Sequence, residues 1–116
     1  MRLLLVDDEE ELVSTLSERL ELRGVANDWA TTGEQGLALL ADHEYDWVVL
    51  DMKMPGLGGL GTLKAIRQQW PRIRIVVVTG HTSKDDYEAG LAAGADHYLL
   101  KPVDVDELLD LMKAAG

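Results

Sequence analysis

The sequence predicts one α/β domain of five parallel strands and five helices, doubly wound so that helices cover both faces of the sheet. Three observations predict it. Four short apolar runs, Leu3-Leu4-Leu5-Val6, Trp47-Val48-Val49-Leu50, Ile75-Val76-Val77-Val78 and Tyr98-Leu99-Leu100, are bounded by polar turn residues, the pattern of strands buried on both sides. Stretches with helical apolar spacing lie between them. The alternation runs through five units with no linker, repeat or low-complexity segment, which implies right-handed crossovers around one sheet.

The first strand meets Asp7-Asp8, and Glu9-Glu10-Glu11 then form an acidic turn suited to the positive end of a helix dipole. Leu12, Leu16 and Leu20 recur on one helical face, and Gly24 is placed as the stop. Val25 to Trp29 reads as a more polar strand at the sheet edge. Thr32 with Gln35 fits a capping box opening a second helix that carries Leu37 and Leu40. The third strand ends at Asp51. Pro55-Gly56 and Gly58-Gly59 make a loop; Leu60, Leu63 and Ile66 then give helical spacing up to Trp70, and Pro71 ends that helix. The fourth strand ends at Thr79. Thr82 or Ser83 caps a helix bearing Tyr87 and Leu91, closed by Gly94. The short fifth strand runs into Lys101-Pro102. Asp104 with Glu107 opens the last helix, with Leu108, Leu111 and Met112 as its buried side.

Composition narrows the function. The chain has 116 residues, enough for one core, so residues 1–116 read as a single domain with no output domain beside it. A net charge of -10 argues against direct nucleic-acid binding, which needs a basic patch. There is no cysteine, hence no disulfide and no thiolate metal site. The apolar start meets acids at once and is no signal peptide. No apolar segment approaches the ~20 residues that span a bilayer. The expectation is a cytoplasmic protein without membrane contact.

The chemistry follows from where the strands end. In an open parallel sheet the ligand site lies beyond the carboxyl ends of the strands, so Asp7, Asp8, Asp51, Thr79 and Lys101 should converge there. Three ionised carboxylates carry three negative charges, and close carboxylates repel unless cations intervene. Lys101 supplies one positive charge, and a Mg2+ ion would supply the two that bring the formal total to zero. Mg2+ favours one or two carboxylates together with water and phosphate oxygens, so the site suits a phosphorylated ligand. One carboxylate can itself accept a phosphoryl group as an acyl phosphate. Such a step rests on positioning and charge neutralisation, and the Thr79 hydroxyl can donate to a phosphoryl oxygen.

From Leu3 to about Met112 the chain resembles the receiver domain of two-component response regulators, the CheY-like superfamily. The resemblance rests on Asp7-Asp8, on Asp51-Met52-Lys53-Met54-Pro55-Gly56, on Thr79-Gly80 and on Lys101-Pro102, in that order and each after an apolar run. It implies a flavodoxin-like sheet of strand order 2-1-3-4-5. It implies Asp51 as phosphate acceptor, with Asp8 and Asp51 ligating Mg2+ (Mn2+ or Ca2+ can substitute). The Lys53 backbone carbonyl would be a further ligand, and Asp7 would act mainly through a metal-bound water. Lys101 would pair with the phosphoryl group, aimed inward by a cis bond to Pro102. Thr79 would move toward the phosphate and Tyr98 would turn inward, changing a surface of the fourth helix, fifth strand and fifth helix. The implied partners are a sensor histidine kinase or phosphotransfer protein, as in a phosphorelay, and a downstream output domain or protein target. Dimerisation through the readout surface stays open. Lys53 and His81 flank the mouth of the site and are expected to tune dephosphorylation.

Other readings compete less well. A small Mg2+-dependent phosphatase with Asp51 as nucleophile would want a second aspartate two residues on, where Lys53 stands. A nucleotide or flavin module would want a glycine-rich turn after the first strand, where acids stand. A receiver working only as an unphosphorylated docking platform would not need the acidic set. His43, His81 and His97 match no ligand spacing, and Trp29, Trp47 and Trp70 read as core or edge residues.

Overall fold

A computed structural model describes residues 1–80 and 84–115. The expected Thr82 or Ser83 cap and His81 therefore lie outside the described residues. The elements alternate as β1 (Arg2–Val6), α1 (Glu10–Leu22), β2 (Ala26–Ala30), α2 (Gly33–Asp42), β3 (Trp47–Asp51), α3 (Gly58–Gln69), β4 (Arg74–Thr79), α4 (Lys84–Ala92), β5 (His97–Leu100) and α5 (Val105–Ala114). The strands form one sheet in the order β2-β1-β3-β4-β5, with every neighbouring pair parallel.

The central strands lack polar alternation because both of their faces are dry. Leu3, Leu5, Val49, Val76 and Val78 pack with Val13 and Leu20 of α1 and with Val105, Leu108, Leu109 and Met112 of α5. Leu4, Val6, Val48, Leu50, Ile75 and Val77 pack on the other side with Leu40 of α2 and Leu63 and Ile66 of α3. Each fully buried aliphatic side chain is worth about 1.5–3 kcal/mol, so β1, β3 and β4 fix the sheet. β2 lies at the edge and mixes exposed with half-buried residues before the buried Ala30, beginning one residue after Val25.

α1 is rotated from its expected face. Leu12 is 51% exposed, while Val13, Ser17 and Leu20 are buried. The Ser17 hydroxyl donates to Asn27 Oδ1 at 2.5 Å, and Asn27 Nδ2 donates to the Val25 carbonyl at 3.1 Å. A satisfied polar pair thus fills a position that apolar spacing gives to a leucine. On α4, Tyr87 and Leu91 are exposed, and Gly90 is buried, facing Val77 and Met52. On α5 the inward side is Val105, Leu108, Leu109 and Met112, with Leu111 half-buried.

The caps follow the sequence closely. Thr32 Oγ1 accepts the Gln35 N–H at 3.1 Å, while Gln35 Oε1 accepts the N–H of Thr31 rather than that of Thr32. Asp104 accepts the N–H groups of Asp106 and Glu107. Arg67 of α3 donates to the carbonyls of Pro71, Ile73 and Gly94 and pairs with Asp96, tying α3 to the entries of β4 and β5. Among the described residues no helix is long and apolar enough to cross a membrane.

Candidate functional site

Parallel pairing brings four strand ends level. Val6 pairs with Leu50, Asp51 with Val78, and Thr79 with Leu100. The ladder continues one residue beyond. The Asp7 N–H donates to Ala30, the Met52 N–H to Val78 and the Lys101 N–H to Thr79, at 3.1, 3.1 and 2.8 Å. The backbone under each polar residue is therefore fixed by the sheet.

The side chains converge as the strand-end argument requires. Asp7, Asp8 and Asp51 each offer a carboxylate oxygen within 4.8 Å of the others. The Lys101 ammonium lies 3.0 Å from Asp7 Oδ2 and 3.2 Å from Asp51 Oδ2. The second oxygens are held by backbone: Asp7 Oδ1 accepts the Glu9 N–H at 2.9 Å, and Asp51 Oδ1 accepts the Lys53 N–H at 3.1 Å. Asp51 is 1% exposed and Thr79 fully buried, whereas Asp8 is open to solvent. The Lys101-Pro102 bond is cis.

Electrostatics sets the site's needs. Burial raises the Asp51 pKa and the Asp7 charge adds to it. The Lys53 N–H and Lys101 oppose this, and the result is about 6. Burial alone would lower the Lys101 pKa. Its bonds to Asp7 and Glu9, with the charges of Asp51 and Asp7, overcome that and hold it above the usual lysine value. The two directions agree physically, because one ammonium is shared among several carboxylates and Asp51 receives only part of it. The acids outnumber the cation, and their oxygens are near enough to share a divalent ion. The residues therefore fit Mg2+, whose oxygen ligands and small size match such a cluster.

The loop after Asp51 is shaped by glycine. Gly56 and Gly58 take φ of +71° and +76°, where other residues are strained. A Cβ on Gly59 would overlap the Asp51 carbonyl oxygen and Met52 Cα, so α3 begins directly against the end of β3. Lys53 stands exposed in this loop. Tyr98 of β5 is half-buried, with its ring 5.0 Å from that of Tyr87 in an edge-on arrangement. His81 lies outside the described residues.

One site residue was not foreseen. Glu9, read as part of an acidic helical turn, sits at the α1 N-cap position but makes no side-chain cap; its carboxylate instead meets Lys101 Nζ at 3.0 Å. Its place directly after the acid pair is the only sequence signal.

A parallel sheet gathering acids, a buried threonine and a lysine at its carboxyl edge defines an α/β domain with one polar site at its strand ends. The family model described as "Response regulator receiver domain" matches residues 3–113, and the chain belongs to that family. It is 44% identical over 115 residues to the transcriptional regulatory protein CpxR of Escherichia coli (strain K12), covering 97% of this chain and 48% of that protein. The chain spans about half the length of the curated relatives it matches. A CheY-like receiver structure from Methanospirillum hungatei JF-1 superposes with a TM-score of 0.92 at 31% identity, covering 98% of this chain and 91% of that one. A response regulator from Burkholderia pseudomallei, described with a phosphorylated aspartic acid, calcium ion and citrate, superposes with a TM-score of 0.87 at 28% identity, covering 98% and 71%. The expected family, strand order and CheY-like fold therefore stand.

Proposed function

We propose that the chain is a phosphorylation-activated signalling receiver in which Asp51 accepts a phosphoryl group from a phosphohistidine on a sensor kinase or phosphotransfer protein. The observation that carries the reading is the Lys101 ammonium 3.2 Å from the nearly inaccessible Asp51 carboxylate. An Asp51 oxygen attacks phosphorus, the phosphorus–nitrogen bond breaks, and the electron pair leaves with the imidazole. Lys101 orients and neutralises the phosphoryl oxygens, and Thr79 donates its hydroxyl to one of them. Asp7, Asp8, Asp51 and the Lys53 carbonyl would hold Mg2+, with Asp7 acting through a metal-bound water. When bound, the ion neutralises charge on the transferring group.

The new acyl phosphate adds roughly 1.5–2 negative charges beside Lys101 and Thr79. Thr79 moves toward it, Tyr98 turns inward, and the α4-β5-α5 surface changes. Tyr87, Leu91 and Leu100 are exposed on that surface, which suits a protein target, an output domain or a second copy. The longer relatives, CpxR among them, are consistent with an output domain as reader. Lys53, two residues past Asp51, and His81, two residues past Thr79 in the sequence, tune water access to the acyl phosphate. Replacing both with alanine should change the phosphoryl lifetime, and an unaltered lifetime would refute that role. The phosphatase reading shares Asp51 as nucleophile, but Lys53 occupies the place of its second aspartate.

The test is chemical mapping. After incubation with acetyl phosphate and Mg2+, hydroxylamine-labile label should map to the peptide carrying Asp51. Label elsewhere, or none, would defeat the reading.

A further inference from the structure

We infer that Glu9 is a displaceable latch on Lys101, a positioning residue that holds the ammonium until a phosphoryl oxygen takes its place. The inference rests on the phosphoryl-acceptor reading and adds a residue to it. A lysine ammonium has three N–H donors and no acceptor. Asp7, Glu9 and Asp51 lie at 3.0, 3.0 and 3.2 Å from it, so three carboxylates match three donors. A phosphoryl group arriving at Asp51 finds no spare donor, and one carboxylate must yield.

The three are not equally able to leave. The Asp51 side chain is 2% exposed and is the group that accepts the phosphoryl. The Asp7 side chain is 13% exposed, and its other oxygen is bound by the Glu9 N–H. The Glu9 side chain is 55% exposed, has the longest arm, and makes no cap bond at the helix it begins. Glu9 therefore yields. Until it does, it competes with the incoming oxygen and keeps the Lys101 side chain extended across the site.

With acetyl phosphate as donor, the phosphorus–oxygen bond to acetate breaks, a bond to an Asp51 oxygen forms, and acetate leaves with the electron pair. The latch must open for this to proceed. Glu9→Gln keeps the shape but weakens the grip. Glu9→Asp keeps the charge but withdraws the carboxylate from Lys101. Both should accelerate labelling by about two- to fivefold, the scale of a partly exposed ion pair. Acceleration by Glu9→Gln alone would mean that charge at the mouth, and not the contact, sets the rate. Unchanged rates in both variants would likewise overturn the latch.

A second readout needs no phosphorylation. In 15N-labelled protein the Lys101 ammonium protons should exchange with water faster in both variants than in the parent. Unchanged exchange would refute the contact in solution. Faster exchange in both variants, together with a parent that takes up no label, would instead defeat the acceptor reading, and with it the latch's role in phosphorylation.

Discussion

The Lys101 ammonium stands 3.2 Å from the Asp51 carboxylate, although the two residues leave strands that are not neighbours. β4 lies between β3 and β5, so the lysine reaches across its end, where its own N–H is bound to the Thr79 carbonyl. That reach joins the acid cluster at the ends of β1 and β3 to the ends of β4 and β5.

Asp51→Asn should stabilise the metal-free protein near neutral pH. The Asp51 pKa is lifted from 3.8 to about 6 in the fold, so the folded state binds the extra proton in that interval. This group's contribution to stability is therefore most favourable in acid and is lost as pH rises through about 6. Thermal melts of parent and variant should agree most closely near pH 4 and separate by about 1–3 kcal/mol at pH 7. A constant difference between these pH values would contradict the assignment.

Mg2+ affinity should fall in acid. Ligating carboxylates must be deprotonated, and Asp51 takes up its proton near pH 6. Calorimetric titration at pH 5 should give binding roughly tenfold weaker than at pH 7.5. Asp51→Asn should bind weakly at both, with the pH dependence reduced.

Lys101→Ala should slow phosphoryl uptake by at least about tenfold, the scale on which a charge-stabilising group acts in such transfers. It should also lower stability, because Asp7 and Asp51 would lose the ammonium between them. Rapid-quench labelling and a thermal melt check the two effects separately.

Thr79→Ala should still accept the phosphoryl group but fail to transmit it. The readout is the Tyr87–Tyr98 contact, with ring centroids 5.0 Å apart. Aromatic proton shifts of this pair should change on phosphorylation in the parent and stay fixed in the variant. Matching changes in both proteins would remove Thr79 from the switch.

Gly59→Ala tests the packing of α3 against β3. The added methyl would overlap the backbone of Asp51 and Met52, which cannot give way as a side-chain end can. A loss of about 1–3 kcal/mol is expected from overpacking, together with weaker Mg2+ binding because the Asp51 backbone must shift. Equilibrium urea unfolding and metal titration check both.

The sequence carried the sheet because β1, β3 and β4 are apolar on both faces and end in polar residues that mark the site. It carried the caps at Thr32 and Asp104 because each is a local contact. It misjudged α1 because Ser17 and Asn27 are polar residues whose burial depends on each other across two elements. It missed the Glu9 contact for a related reason. An acid beginning a helix is explained locally by the dipole, and the competing partner lies 92 residues away in sequence. The Arg67 tie to Gly94 and Asp96 was hidden likewise, since only the folded chain brings α3 beside the entry to β5.

Metal-dependent phosphoryl uptake at Asp51 is read most directly from the intact mass of the protein after exposure to acetyl phosphate. With Mg2+ present the parent should gain the mass of one phosphoryl group. Chelation of the metal or the Asp51→Asn substitution should each abolish the gain. Uptake by the Asn variant, or equal uptake with the metal chelated, would contradict the account.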